Sequence, residues 1–449
     1  METTIDNKLF YRNLTRISLP IALQSLMLAM VAAADALMLG RVAQEQMTAV
    51  SLATQIQFVQ NMFIFSATSA GAILGAQYWG KGDKKTLENI FNLMLWFCGI
   101  VSILFFAACE LCPQVLMGIF TNEAQLNDIG SSYLRIAGWS YLITGVSQCY
   151  LAIMKVTEQV KAGAFISSMA VITNIIFNSI FIFGLFGAPR MEANGAALAT
   201  TIARVIELAL CIILSAGKNY IRPALSRFLS VPKVLIGDFA KQCLPLMGGS
   251  LCWGIGFTSY TAIMGHMGVD AAAANSIAAV VRDLVCCACN GIGSAAGIMV
   301  GNELGAGNLE LGKKYGIKLK NISYVIGFIS TAIVLAVTPA VVHGVILTDS
   351  ARKYLIGMMV IMSIYMIGRC VNTVTINGVL DGGGDTLFDM YSLIVCMWMI
   401  AIPLALAGAF VFHWSPLAVY ACTCLDEVGK IPWVMHRFRK YKWVKDLTR

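Results

Sequence analysis

Charged residues are scarce in this chain of 449 residues, because Asp, Glu, Lys and Arg together make up only 12% of it. Soluble proteins carry about 25% charged and about 45–50% apolar residues, whereas apolar residues make up 58% here. Proline is also rare, at 10 residues, and there is no low-complexity tract. This composition excludes a disordered or fibrous protein and a water-soluble domain. The remaining class is a protein that lives in a lipid bilayer.

The excess of basic residues does not indicate a nucleic-acid partner. The formal net charge is +8, but the Lys and Arg residues form short clusters between apolar runs. Most of these clusters lie at the two ends of the chain and in the connections that follow even-numbered apolar runs. Under the positive-inside rule, this asymmetry predicts a protein of the plasma (inner) membrane with both termini in the cytoplasm.

Long apolar runs predict an all-α integral membrane protein. A helix that crosses the hydrocarbon core needs about 20 mostly apolar residues. Strands are excluded because the runs are long and do not alternate with a period of two. Breaking the sequence at charge clusters, Gly and Pro gives twelve spans: 15–40, 47–79, 88–112, 131–154, 162–186, 193–216, 238–266, 270–303, 315–345, 352–380, 387–412 and 415–436.

The two halves of the chain are related by an internal repeat. A shift of 225 residues lays the segment 19–40 over 244–265 without a gap, and it holds for more than sixty positions. Six spans in each half give both halves the same orientation, so the repeat predicts two parallel six-helix bundles, an arrangement found in transporters. We expect an N-terminal bundle at 1–216, a cytoplasmic linker at 217–237 and a C-terminal bundle at 238–449. Matched pairs include Pro20 with Pro245, Gly40 with Gly265, Gly80 with Gly305 and Gly82 with Gly307.

Polar residues inside the first-half spans predict a site for a cation. Asp35 lies 18 residues into an apolar stretch, and a charge at a helix centre costs about 2.5–3.5 kcal/mol, so it is a candidate functional residue rather than an interfacial one. Asn174 and Asn178 are four residues apart and share a helix face, and Thr200 lies on the next span. A carboxylate, amide oxygens and a hydroxyl suit a proton or a sodium ion. The alternative is that the two Asn residues only bond neighbouring helices.

The second half carries fewer such groups. Under the shift, Asp35 falls on Tyr260, and the tenth span offers Arg369 and Asn372 but no acid before Asp381. The first half is therefore the expected ion-coupling half. The 14 cysteines lie mostly in apolar runs, and we expect no metal or disulfide role for them. Candidate residues of a substrate cavity are Gln24, Met27, Gln148, Tyr260 and Arg282.

Repeated glycine-rich segments carry a family resemblance that covers essentially the whole chain. The segments GAQYWGKGDKK at 75–85 and VGNELGAGN at 300–308, with the weaker TEQVK at 157–161 and GGGDT at 382–386, resemble those of the multidrug and toxic compound extrusion (MATE) transporters. This resemblance implies a 12-helix antiporter that expels organic cations and other amphipathic compounds. It also implies a cation site in the first half. Carried over residue by residue, that site comprises Asp35, Asn174, Asn178 and Thr200.

The resemblance leaves the coupling ion open between H+ and Na+. Sodium-coupled relatives place acids on the seventh and tenth helices, which this sequence lacks, so it resembles the DinF-like bacterial branch more closely. We expect a monomer that takes small drug-like molecules by alternating access, without a cofactor, enzymatic activity or a nucleic-acid partner. The alternative is a flippase for lipid-linked oligosaccharides, which would need more basic residues inside the spans. A membrane enzyme would need clustered polar residues, whereas the 4 histidines are isolated.

Overall fold

The computed structural model describes residues 6–40, 43–217, 220–224, 228, 230–345 and 347–448, without the side chains of 31–37, 40 and 44. Throughout these ranges the ordered elements are helices, with no strand among them. The prediction of an all-α protein is confirmed. Among the described residues, eight helices are long and apolar enough to cross a membrane by themselves.

Among the described residues of the first half there are six long α-helices, one short α-helix and a three-residue 3-10 helix at Leu185–Gly187. Each long helix overlaps one predicted span, although α1 and α5 begin seven to eight residues before the predicted start. The helices are α1 (Asn7–Gly40), α2 (Gln44–Lys81), α3 (Lys84–Leu111), the short α4 (Pro113–Gly118), α5 (Ala124–Val156), α6 (Val160–Phe183) and α7 (Glu192–Ser215).

The second half repeats this order, but its last span is divided into three short helices. Its α11 also ends in wider π-helical turns over Thr373–Leu380. The helices are α8 (Lys233–His266), α9 (Val269–Gly305), α10 (Leu309–Gly344), α11 (Asp349–Leu380), α12 (Thr386–Val411), α13 (Pro416–Thr423), α14 (Leu425–Val428) and α15 (Ile431–Arg439).

The contacts divide the chain into two compact units. The N-unit comprises residues 24–75 and 83–243, and the C-unit comprises 1–23, 76–82 and 244–449. The ends of α1 and α2 nearest the predicted cytoplasmic side thus pack with the second half of the sequence. The division by sequence into 1–216, 217–237 and 238–449 stays a prediction.

Each unit has its own apolar core. In the N-unit, α5 and α7 bring Leu134, Tyr141 and Ala197 together in one buried cluster. In the C-unit, four methionines on one face of α11 are fully buried, which suits the unbranched and adaptable methionine side chain. They are Met358, Met359, Met362 and Met366.

The repeated glycines allow two helix ends of the C-unit to touch. A Cβ atom on Gly305 at the end of α9 would lie 1.9 Å from the carbonyl oxygen of Gln77 on α2, and one on Gly80 would lie 1.9 Å from the carbonyl oxygen of Asn302. Gln77 and Asn302 are themselves related by the 225-residue shift. The two glycines therefore allow the backbones of α2 and α9 to cross closely. Each helix contributes one glycine that packs against a carbonyl oxygen of the other helix.

The turns that follow these helix ends also require glycine. Gly82 and Gly307 both have φ of +80°, a left-handed conformation that side chains disfavour. These two residues are also related by the 225-residue shift. The GKGD and GAGN segments thus combine a close helix contact with a tight turn.

Candidate functional site

A chain of buried polar groups links α6 to α7 in the N-unit. Asn178 Nδ2 donates a hydrogen bond to Asn174 Oδ1 at 3.0 Å, and Asn174 Nδ2 donates to Thr200 Oγ1 at 3.1 Å. Both asparagine side chains are buried, and Asn178 is completely so. The four-residue spacing stacks the two amides on one face of α6, and α7 supplies the hydroxyl opposite. Three of the four residues predicted for the cation site thus form one continuous hydrogen-bonded chain.

The fourth predicted residue, Asp35, has a helical backbone within α1, but its side chain lies outside the described residues. Its role stays a prediction.

Two residues predicted for the substrate cavity attach α1 to α6 in the N-unit. Gln24 is buried, and its Nε2 donates to Ser167 Oγ at 2.6 Å. Three residues further along α1, Met27 accepts a hydrogen bond at Sδ from Ser168 Oγ at 3.2 Å. Ser167 precedes Asn174 by seven residues, which is two turns, so Gln24 contacts the same face of α6 that carries the asparagines.

A buried ion pair continues the polar face of α7. Glu207 is 1% exposed, and its Oε2 lies 2.6 Å from Nη1 of Arg204. Ser147 Oγ on α5 donates to Glu207 Oε1 at 2.6 Å, while Gln148 Nε2 lies at 3.5 Å from the same oxygen. Thr200, Arg204 and Glu207 share one face because they are four and seven residues apart. Gln148, a candidate residue of the substrate cavity, thus lies beside a buried acid.

The C-unit contains a second buried charge cluster, which sequence reasoning missed. Glu427 on α14 accepts a hydrogen bond from Arg369 Nη1 at 2.8 Å and one from Asn372 Nδ2 at 2.6 Å. Lys430 Nζ lies 4.0 Å from the same carboxylate, and Asp426 precedes it in the chain. The segments 244–266 of α8 and 350–380 of α11 contain no acid, and the buried acids of this cluster come from the last span. An available signal was the sequence LDEVGK at 425–430, because charges inside an apolar span are rare and functional by default.

The remaining two predicted cavity residues also lie in the C-unit. The hydroxyl of Tyr260 on α8 faces Asp426. Arg282 on α9 binds the adjacent Asp283, with Nη2 2.9 Å from Oδ1, and its guanidinium lies 4.6 Å from the ring centroid of Phe257. The structure therefore brings Tyr260 into the cluster around Glu427 and pairs Arg282 with its neighbour in the chain.

Repeated halves, apolar helices and buried polar chains define a multi-pass membrane protein of the transporter class. The family model described as MatE matches residues 20–180 and 245–407, once in each half. These matches cover more than half of the chain, which therefore belongs to the MATE family of transporters. The resemblance seen in the sequence and the predicted 12-helix MATE fold are confirmed, whereas membership of the DinF-like branch stays a prediction.

Relatives match over most of the chain. The uncharacterized transporter YisQ of Bacillus subtilis is 24% identical, over 92% of this chain and 90% of its own length. The probable multidrug resistance protein NorM of Thermotoga maritima is 22% identical, over 97% of this chain and 93% of its own length. Among solved structures, a mutant of the Vibrio cholerae MATE transporter VcmN superposes with a TM-score of 0.88 at 15% identity, covering 96% of this chain and 97% of that one. This last similarity concerns the fold alone.

Proposed function

We propose that this protein is a secondary antiporter that exports amphipathic or cationic compounds in exchange for H+ or Na+. The observation that carries the proposal is the buried chain Asn178–Asn174–Thr200 in the N-unit. Membership of a transporter family supports it, and so does the name of the NorM relative as a probable multidrug resistance protein. Buried amides and hydroxyls in an apolar span supply oxygen atoms where the bilayer offers none.

The spacing of residues along α1 and α6 supports a role for Asp35 in this site. From the Gln24–Ser167 contact, Asp35 lies eleven residues further along α1, and Asn178 lies eleven residues further along α6. Both helices run outward in the predicted topology. Eleven residues correspond to about three turns, or roughly 16 Å, so each residue returns to the face from which the count began. We therefore expect the Asp35 carboxylate to face the asparagines and to complete a cation site.

Antiport of the substrate against the ion follows if the binding of one prevents the binding of the other. A proton or sodium ion at Asp35 removes a negative charge from an apolar region and changes its affinity for a cationic or amphipathic compound. Such negative coupling is reciprocal, so the substrate also weakens the binding of the ion, as antiport by alternating access requires. The proposal includes both termini in the cytoplasm, an inner-membrane location, a monomer of the DinF-like branch, and neither a cofactor nor enzymatic activity.

The first test compares wild type with Asp35→Asn for efflux of a fluorescent organic cation from vesicles. Proton and sodium gradients are imposed separately, and the gradient that drives efflux identifies the ion. Because a loss of about 1.4 kcal/mol in coupling already corresponds to tenfold, we expect gradient-driven efflux to fall at least about tenfold. Asp349→Asn is the matched control, since this side chain is 94% exposed at the start of α11; it should transport like wild type.

Two outcomes would contradict the proposal. Efflux by Asp35→Asn at the wild-type rate would remove Asp35 from the coupling step. The absence of efflux for every dye in a broad panel, with wild-type protein present in the membrane, would contradict drug export itself.

A further inference from the structure

The segment that follows α15 folds back onto the C-unit. We call residues 440–448 the C-terminal segment. Its Trp443 is the largest fully buried side chain in the described part of the chain. The indole stacks on Phe438 of α15 with the ring centroids 5.4 Å apart, and its Nε1 donates a hydrogen bond to the carbonyl oxygen of Phe438 at 3.2 Å. Because a buried tryptophan removes a large apolar area from water, the C-terminal segment is firmly seated.

Two glycines make room for Trp443. A Cβ atom on Gly316 of α10 would lie 2.3 Å from Cη2 of the indole. A Cβ atom on Gly383, in the turn between α11 and α12, would lie 1.9 Å from the carbonyl oxygen of Trp443. Gly383 belongs to the GGGDT segment at 382–386, so this repeated segment contacts the C-terminal segment closely.

A charged contact ties the base of the C-terminal segment to the same turn. Arg437 on α15 donates from Nε and Nη2 to the two carboxylate oxygens of Asp385, each at 2.7 Å. Bidentate bonds between charged groups are strong and directional. The sequence from 370 to 429 contains no Lys or Arg, so the cation that binds Asp385 comes from a helix far along the chain.

The C-terminal segment also reaches α2. The backbone N–H of Leu447 donates a hydrogen bond to Gln77 Oε1 at 2.6 Å. Gln77 Nε2 in turn donates to the carbonyl oxygen of Gly382 at 2.9 Å. Gln77 is completely buried, so its amide depends on protein partners for both of these bonds. This single side chain therefore joins α2, the C-terminal segment and the turn after α11.

Gln77 lies in a part of α2 that packs with a different unit from the rest of the helix. Residues 44–75 of α2 belong to the N-unit, whereas residues 76–82 belong to the C-unit. Alternating access moves one bundle against the other, so that motion must pass through α2 near residue 75. How firmly residues 76–82 are held then decides whether the end of α2 follows the C-unit.

We propose that the C-terminal segment is a clamp that holds residues 76–82 of α2 in the C-unit and thereby sets the rate of the conformational change in transport. With the clamp in place, the end of α2 moves with the C-unit. Without it, Gln77 loses its bond from Leu447, and the end of α2 is held less firmly. This inference deepens the proposed function by naming a segment that controls its rate, and it rests on that function only for the effect on transport.

The direct test is hydrogen–deuterium exchange of the purified protein in lipid, followed by mass spectrometry. In a variant that lacks residues 441–449, we expect the amides of 76–82 and 381–385 to exchange at least about tenfold faster than in wild type, because buried bonds are lost there. Lys442→Ala is the matched control, since this side chain is exposed, and it should exchange like wild type. Unchanged exchange at 76–82 in the shortened variant would overturn the proposal.

Gly316→Ala tests the clamp in the full chain. The added Cβ would displace the indole, so we expect faster exchange in the same two regions. Combined with Trp443→Ala, it should add little, because the indole that it displaces is already gone. Trp443→Phe keeps a ring that stacks on Phe438 and should exchange more slowly than Trp443→Ala. Fully additive effects of Gly316→Ala and Trp443→Ala would contradict the seating of the indole against α10.

A transport measurement on the same samples separates this inference from the proposed function. We expect the shortened variant to change the maximal rate of dye efflux severalfold, while the half-saturating dye concentration stays the same, because the clamp does not touch the dye. An unchanged maximal rate with faster exchange at 76–82 would leave the segment a structural role only and overturn control of the rate. Absence of wild-type transport with the same difference in exchange would contradict the proposed function and support the clamp. Unchanged exchange in α5 and α7 of the N-unit serves as the check on folding.

Discussion

Replacing Asn174 by leucine is expected to abolish gradient-driven efflux, with a loss of cation affinity of about 5- to 150-fold, which corresponds to about 1–3 kcal/mol for a buried hydrogen bond. Asn174 lies at the centre of the chain, because it accepts from Asn178 and donates to Thr200. Leucine has a similar volume, so the packing of α6 against α7 is retained. The variant loses both buried hydrogen bonds of Asn174, at a cost of about 1–3 kcal/mol for each. The measurement is the initial rate of dye efflux from proteoliposomes under the gradient that drives wild type.

Two further variants separate loss of the site from loss of the fold. Ser179→Ala changes the same helix, but among the described residues this hydroxyl donates only to the carbonyl of Ile175 in its own helix. It should transport like wild type. Asn174→Asp keeps an oxygen that can accept from Asn178 and should retain cation binding. Wild-type efflux by Asn174→Leu, with an unchanged dependence on the ion, would mean that the chain is structural.

Most of the fold could be predicted from the sequence, because the bilayer restricts which backbone structures can cross it. Backbone groups must be satisfied within each span, so a long apolar run between basic clusters indicates a helix almost regardless of its neighbours. The 225-residue shift added the bundle arrangement, since matched glycines and prolines fall on matched turns and helices. The breaks within the last span and the π-helical turns of α11 were not predicted.

The candidate sites could be predicted from the sequence only in part. The contact between Asn174 and Asn178 follows from the spacing along one helix, so it could be predicted without tertiary structure. Glu427, in contrast, binds Arg369, which lies 58 residues earlier in the chain. No local pattern in the sequence indicates which helices pack together.

Gly305→Ala is expected to destabilise the folded protein strongly. The added Cβ would lie 1.9 Å from the carbonyl oxygen and 2.4 Å from the carbonyl carbon of Gln77. These are backbone atoms, so no change of rotamer relieves the overlap, and the helices α2 and α9 must separate. Overpacking of a core costs about 1–3 kcal/mol, and more where the backbone must move. We expect a loss of at least about 3 kcal/mol, measured as a lower melting temperature in detergent and less protein in the membrane.

Two other glycines distinguish close approach from backbone conformation. A Cβ on Gly99 in α3 meets no atom within 4 Å, so Gly99→Ala should raise stability by about 0.5–1 kcal/mol through helix propensity. Gly307 also has open space, but its φ of +80° disfavours alanine, at a cost of about 1–2 kcal/mol. Stability should therefore fall in the order Gly99→Ala, wild type, Gly307→Ala, Gly305→Ala. A melting temperature of Gly305→Ala equal to that of Gly307→Ala would show that α2 and α9 can move apart at little energetic cost. In that case the repeated glycines would serve the turns alone.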